Sequence, residues 1–279
     1  MTEASAQTRA VTQFLRRLAS VPEMSMRVHL WAGFASEAHP TTVLTAVEAV
    51  LAGLTTRTTA ARLGMMALAR WMTDDGEGVR KVLLPAAVAG RSTVVMTLLA
   101  DDPPARIAEL SALPVPAISN DREVTLGERR AMARGHDRMI LERLFTDPDH
   151  RVIRHLLINP RIRETDVLNI ASRRPVGQAV LLEVFRQDRW IASPRVREAL
   201  VQNPYCPVPI ALALITVLDE PGLRQVIAAR AVHPLVRSSA RALLRRRKSM
   251  GAMTIDDGQL AWIENLLKDR DAADHKQVD

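Results

Sequence analysis

Seven histidines, one cysteine and several paired carboxylates are the side chains of this 279-residue chain with types suited to metal binding, nucleophilic attack or proton transfer. His150 and His155 are five positions apart. On a helix that spacing sets them roughly 140° apart, too far to chelate one metal, so they read as solvated surface. Cys206 lies in Asn203-Pro204-Tyr205-Cys206-Pro207 with no nearby histidine to activate it, and reads as a small buried filler. Asp74-Asp75 and Asp101-Asp102 stand at expected helix boundaries, where carboxylates cap free amides rather than act as acid and base. There is no Gly-rich phosphate loop, cysteine pair, His-Glu-x-x-His or Gly-x-Ser-x-Gly. The pattern disfavours NTPases and dinucleotide enzymes, and the expectation is a protein with no catalytic residue, no cofactor and no metal.

Charge carries more information. The formal net charge is +7 and the sequence pI about 10.5. Arg237, Arg241 and Arg245 recur every four residues beside Arg246, Arg247 and Lys248, with no acid from 231 to 250. On a helix this makes one basic ridge opposite Val236, Ala240, Leu243 and Leu244. Such a ridge suits an acidic protein, phosphate or acidic lipid head groups. It also suits the solvated C-terminal face of an arginine-rich helix. Residues 255–279 carry −4 and an apolar stripe of Ile255, Leu260, Ile263, Leu266 and Leu267, as expected of a cap helix able to neutralise the ridge internally.

The elements that would position these groups are helices. Val11, Phe14, Leu15 and Leu18 make one apolar stripe, and Val43, Val47, Val50, Leu51 and Leu54 another, opened by Thr41 or Thr42 as N-cap. Val79, Val82, Leu83 and Ala86 make a third. Pro103, Pro104, Pro114 and Pro116, then Ser119-Asn120-Asp121, interrupt the pattern and mark a hinge or linker. Beyond it short stripes follow closely: Val152, Ile153, Leu156 and Leu157; Val167, Leu168 and Ala171; Val176, Ala179, Val180 and Leu182. Pro160 and Pro175 lie in the gaps. The apolar run from Val208 to Leu218 is about half the roughly 20 residues a membrane span needs, and reads as a helix buried on nearly all sides. The start Met1-Thr2-Glu3-Ala4-Ser5 lacks a signal-peptide pattern, and with a single cysteine the expectation is a cytoplasmic protein.

One phrase repeats. Asp147-Pro148 runs through Val152 to Asn159-Pro160, Ser193-Pro194 through Val196 to Asn203-Pro204, and weaker copies surround Pro103 to Ile107 and Pro234 to Val236. Steps of 45, 44 and 40 residues between Ile107, Val152, Val196 and Val236 fall in the range of helical-repeat units. Asp147-Pro148-Asp149-His150-Arg151-Val152, Val196-Arg197 and Val236-Arg237 resemble HEAT-repeat openings, while Asn203-Pro204-Tyr205-Cys206-Pro207 resembles the leucine-rich repeat variant found in bacteria. Over residues 123–244 the chain resembles bacterial HEAT-like proteins. The resemblance implies an all-α, HEAT-like α-solenoid, whose motifs specify packing and assign no catalytic residue. The expected organisation is an N-terminal helical region (1–118), a linker (119–127), HEAT-like repeats (128–250) and a cap helix with a frayed tail (251–279).

Two functional classes compete. One is a non-enzymatic protein-interaction scaffold whose partner is an acidic protein. The other is a nucleic-acid-binding HEAT-like protein, including glycosylases that handle an extruded base with groove aromatics and a carboxylate. Aromatics are only 3% of this chain, which weighs against the second. The candidate contacts are Arg151, Arg154, Arg195, Arg197, Arg237, Arg241 and Arg245. Trp190 joins them as a groove platform beside Arg189 and Asp188; packing at an inter-repeat junction is the commoner role for such a residue. Trp31, Trp71 and Trp262 share stripes with aliphatic residues and read as core.

Overall fold

The computed structural model describes residues 3–54, 58–100, 102–118, 122 and 124–249. The segment 119–121 and the expected cap helix, with Trp262, lie outside them. Among the described residues there are sixteen α-helices, one 3-10 turn and no strand. They fall into two compact units, 3–100 with 242–249 and 102–241.

The first unit contains α1 (Glu3–Ser20), α2 (Met24–Glu37), α3 (Pro40–Gly53), α4 (Thr59–Asp74), α5 (Gly76–Ala89) and α6 (Thr93–Leu99). Helix α3 is central: α1, α4 and α5 all pack on it, and Val43, Leu44, Ala46, Val47, Ala49 and Val50 are buried. Its start differs from expectation. His39 is the N-cap, its Nδ1 accepting from the Thr41 amide at 3.4 Å. Pro40 takes the first helical position, where a missing N–H costs nothing, so the helix begins ahead of the threonines. Trp31 is fully buried between Phe14 (centroids 4.7 Å apart) and Trp71 (6.4 Å), and donates its indole N–H to Gly64 O at 3.2 Å. A Cβ at Gly64 would lie 3.1 Å from Leu18 Cδ2 and 3.2 Å from Val50 Cγ2, so a side chain here would press on the helices against it. Asp75 caps α5, as expected, accepting from the Gly78 amide.

The second unit contains α7 (Leu126–Met132), α8 (Arg138–Leu144), α9 (His150–Ile158), α10 (Glu164–Ser172), α11 (Gln178–Arg186), α12 (Asp188–Ile191), α13 (Pro194–Val201), α14 (Val208–Val217), α15 (Glu220–Ala228) and the first half of α16 (Pro234–Ser249). Helices below about 12 residues are marginal in isolation, so tertiary contacts must hold those of 4 to 10 residues here. Val152 and Val196, and Leu156 and Leu200, are buried in register on α9 and α13, as are Asn159 and Asn203 just beyond the ends of those helices. Each asparagine makes the same clip. Asn159 Nδ2 donates to Ala133 O (2.9 Å) and Gly135 O (2.8 Å) at the end of α7, while its Oδ1 accepts from the Arg161 amide. Asn203 Nδ2 donates to Ala171 O (2.8 Å) and Arg173 O (3.0 Å) at the end of α10, while its Oδ1 accepts from the Tyr205 amide. Helix-terminal carbonyls, which lack intrahelical donors, are satisfied from a neighbouring helix.

Several expectations change here. Ser193 caps α13 with Pro194 in the first turn, but α9 is capped by Asp149, which frees Asp147 for another role. The copy at Pro103 to Ile107 is not a helix start. Residues 102–118 hold only a 3-10 turn at Leu110–Ala112, because adjacent prolines remove amide donors and push preceding residues out of the helical region. This irregular strap is fastened by the Arg106 amide to Pro204 O (2.9 Å), by Arg143 Nη1 to Ala117 O and Ile118 O, and by buried Leu113. On α11 the buried stripe runs through Val180, Leu181 and Val184; Ala179 is exposed and Leu182 half-buried, so the face is rotated from the expected one. Helix α14 is buried from Val208 through Thr216 except at half-buried Pro209, as expected. No helix among the described residues is long and apolar enough to cross a membrane.

Candidate functional site

Residues 101–241 hold 21 arginines, no lysine and 17 carboxylates. Guanidinium forks match carboxylates bidentately, and the structure uses them so. Asp147, fully buried, accepts from Arg129 Nε at 2.7 Å and from the Asp149 amide at 2.9 Å. Asp166, buried at the start of α10, accepts from Arg138 Nη1 (2.7 Å) and Nη2 (2.6 Å) of α8 and from the Arg163 amide. Glu183, buried on α11, accepts from Arg154 Nε (2.9 Å) and Nη2 (2.6 Å) of α9, with Arg186 at 3.4 Å. Each pair joins segments distant in sequence.

The electrostatics differ among the three. The Arg138 hydrogen bonds hold Asp166 below its ordinary titration range against the opposing effect of burial. Burial is the largest influence on Glu183, but the Arg154 hydrogen bonds and the charges of Arg154 and Arg186 outweigh it, and it too titrates low. Burial dominates at Asp147 and pushes its carboxyl up despite Arg129.

The proposed contact residues divide. Arg151 is paired with Asp149 (2.7 Å), Arg154 with Glu183, and Arg195 with Glu164 at 3.7 Å. Arg197 Nη1 donates to Ile191 O and Ala192 O. Trp190 is buried, donates its indole N–H to Leu157 O at 2.7 Å, and carries Arg189 over its ring at 4.2 Å, so the ring is a packing element. Arg241 and Arg245 are exposed and Arg237 half-buried along α16, while Val236 and Ala240 are buried on the other side. None of these three arginine side chains has a hydrogen bond or ion pair among the described residues. The structure thus separates the ridge from the arginines of α9 and α13, which are engaged internally.

Sequence reasoning missed the buried carboxylates. The available signal was Glu183 inside the apolar run Val180-Leu181-Leu182-Glu183-Val184-Phe185, and Asp166 one residue before the Val167 stripe. It also missed Arg130, whose Nε lies 3.4 Å from His155 Nε2, and Arg134, whose charge acts on the same ring. Burial pushes the Cys206 thiol up to about 12, so it is no thiolate nucleophile at neutral pH. Among the described residues no three His, Cys, Asp or Glu side chains are grouped to hold a metal. No family model, curated protein or solved structure matches the chain.

Proposed function

We propose that this protein is a non-enzymatic interaction scaffold of the bacterial cytoplasm, built on HEAT-like repeats stacked as an α-solenoid, that binds an acidic protein along the arginine ridge of α16. The observation that carries the reading is the division of labour among arginines. Arg129, Arg138 and Arg154 are consumed by buried carboxylates, while Arg237, Arg241 and Arg245 lie on one helix face with no partner among the described residues. The matching clips of Asn159 and Asn203 support the repeat assignment, since stacked units reuse one contact at a fixed step. An unpaired row of guanidiniums attracts carboxylates, and arginine's fork holds them with geometric selectivity.

The test is a salt titration of the full chain against fluorescent polyglutamate, duplex DNA and single-stranded RNA. The expected result is polyglutamate binding that persists at physiological salt and is abolished in R237E/R241E/R245E while helical circular dichroism is unchanged. Undiminished binding by the triple variant would sink the ridge assignment. Nucleic-acid affinity persisting at physiological salt, with a slope reporting several released counterions, would move the protein to the nucleic-acid class.

A further inference from the structure

Where α7 meets α9, two arginines carry positive charge with no carboxylate of their own among the described residues. Arg130 is exposed on α7, and Arg134 is exposed one turn further on, in the turn that closes the helix. Neither has a carboxylate partner among the described residues. Facing Arg130 from α9 is His155, whose Nε2 lies 3.4 Å from Arg130 Nε and therefore accepts, leaving the ring neutral with its proton on Nδ1. That Nδ1 is buried and has no hydrogen-bond partner. Arg154, the preceding residue, adds a third guanidinium; the one carboxylate it touches, Glu183, is shared with Arg186.

The arrangement is held rigidly. Asn159, the residue that caps α9, donates to the carbonyls of Ala133 and Gly135, which flank Arg134 on either side. The clip that joins the two helices therefore also fixes the backbone from which Arg134 projects, relative to the helix that carries His155. Arg130 and Arg134, held on this frame with no carboxylate partner of their own among the described residues, repel one another until an anion arrives; pre-paid positioning of this kind favours binding. Two guanidiniums one turn apart offer paired N–H donors, which suits a doubly charged tetrahedral oxyanion better than a single carboxylate.

From this geometry we infer that Arg130 and Arg134 form an anion site for a phosphoryl group, with His155 as a positioning residue that orients the Arg130 guanidinium. The site is separate from the α16 ridge and does not depend on it. His155 also serves as a built-in reporter. Burial and then the charges of Arg134, Arg130 and Arg154 hold its pKa below the ordinary histidine value. Of the elements packed on α9, α7 contributes Arg130 and the turn after it Arg134, α11 contributes Glu183 and Arg186 through Arg154, and the Arg138 of α8 is turned to Asp166. A phosphate dianion seated on Arg130 and Arg134 would offset the cations that depress the imidazole.

The test is histidine NMR titration of the full-length protein, with the His155 resonance assigned by His155→Gln, in inorganic phosphate and in sodium chloride of matched ionic strength. Phosphate is expected to raise the His155 pKa by about 1 unit, the size of a nearby opposite charge. In R130Q/R134Q the phosphate-dependent rise should vanish and phosphate affinity, measured by calorimetry, should fall at least about tenfold. R237E/R241E/R245E should keep the response, which separates this site from the ridge. A phosphorylated serine peptide that binds more tightly than both inorganic phosphate and its unphosphorylated form would identify the source as a phosphoprotein; equal affinity for phosphate and phosphopeptide would identify it as free phosphate. Equal His155 titration in phosphate and chloride, or a phosphate response unaltered in R130Q/R134Q, would overturn the proposal.

Discussion

Residues 3–100 fold mainly as helices of 14 to 18 residues around Trp31, whereas residues 124–233 fold as helices of 4 to 10 residues tied by polar side chains. The burial of polar groups follows the same division. In the first unit the described buried polar residues are Arg27, Thr45 and Arg247. In the second they are Arg129, Asp147, Asn159, Asp166, Glu183, Asn203 and Thr216. Long helices present wide apolar stripes and satisfy most backbone groups internally, so shape complementarity suffices to join them. Short helices end often and expose many unpaired carbonyls and amides, and specific clips must complete them.

Each unit can be weakened by removing what holds it. The largest effects are expected at Arg129 and Trp31. Arg129→Met leaves Asp147 buried and unpaired, at a cost of about 3–5 kcal/mol, and Trp31→Ala opens a cavity at a similar cost of about 3–5 kcal/mol. The two should differ in rescue. Adding Asp147→Leu to Arg129→Met removes the stranded charge and should recover most of the loss in denaturant unfolding, because an apolar pair can replace a buried ionic one. Next come Asn159→Ala and Asn203→Ala, each stranding buried carbonyls. Each is expected to cost about 2–3 kcal/mol, with amide exchange speeding up in α7 and α9 for the first and in α10 and α13 for the second. The smallest is Ser193→Ala, which removes the α13 cap and should cost about 1 kcal/mol, read as a shift in the denaturation midpoint.

How much of this was legible in the sequence varies with the kind of force. Helical periodicity exposed the stripes of α1, α3, α5 and α9 because burial of an apolar face leaves a trace every three to four residues, and the long apolar run exposed α14. The repeated Asn-Pro was visible as a stop, but its real work, donating to two carbonyls of another helix, depends on partners 24 to 32 residues earlier that no local pattern names. The arginines misled for a related reason. Arg154 and Arg197 look like surface charge in sequence, yet one reaches Glu183 and the other caps carbonyls at the end of α12. The Pro103 copy failed because its spacing matched the repeat while its adjacent prolines forbade the helix. Trp190 was ambiguous until the indole N–H found Leu157 O in the core.

Hydrogen exchange of the full-length protein at pH 7 and near pH 3.5, corrected for intrinsic rates, distinguishes a second unit held by ionic clips from a first held by apolar packing. Asp166 and Glu183 titrate below their ordinary values when folded. The stability they supply is therefore present above about pH 4, the unfolded range, and falls away as pH drops through the folded-state values. Asp147, held above its ordinary value, acts in the opposite sense but alone. Acidification is expected to strip protection from α8 to α11 while the amides of α3 and α4 keep theirs. Equal loss in both units, or earlier loss around Trp31, would contradict this division.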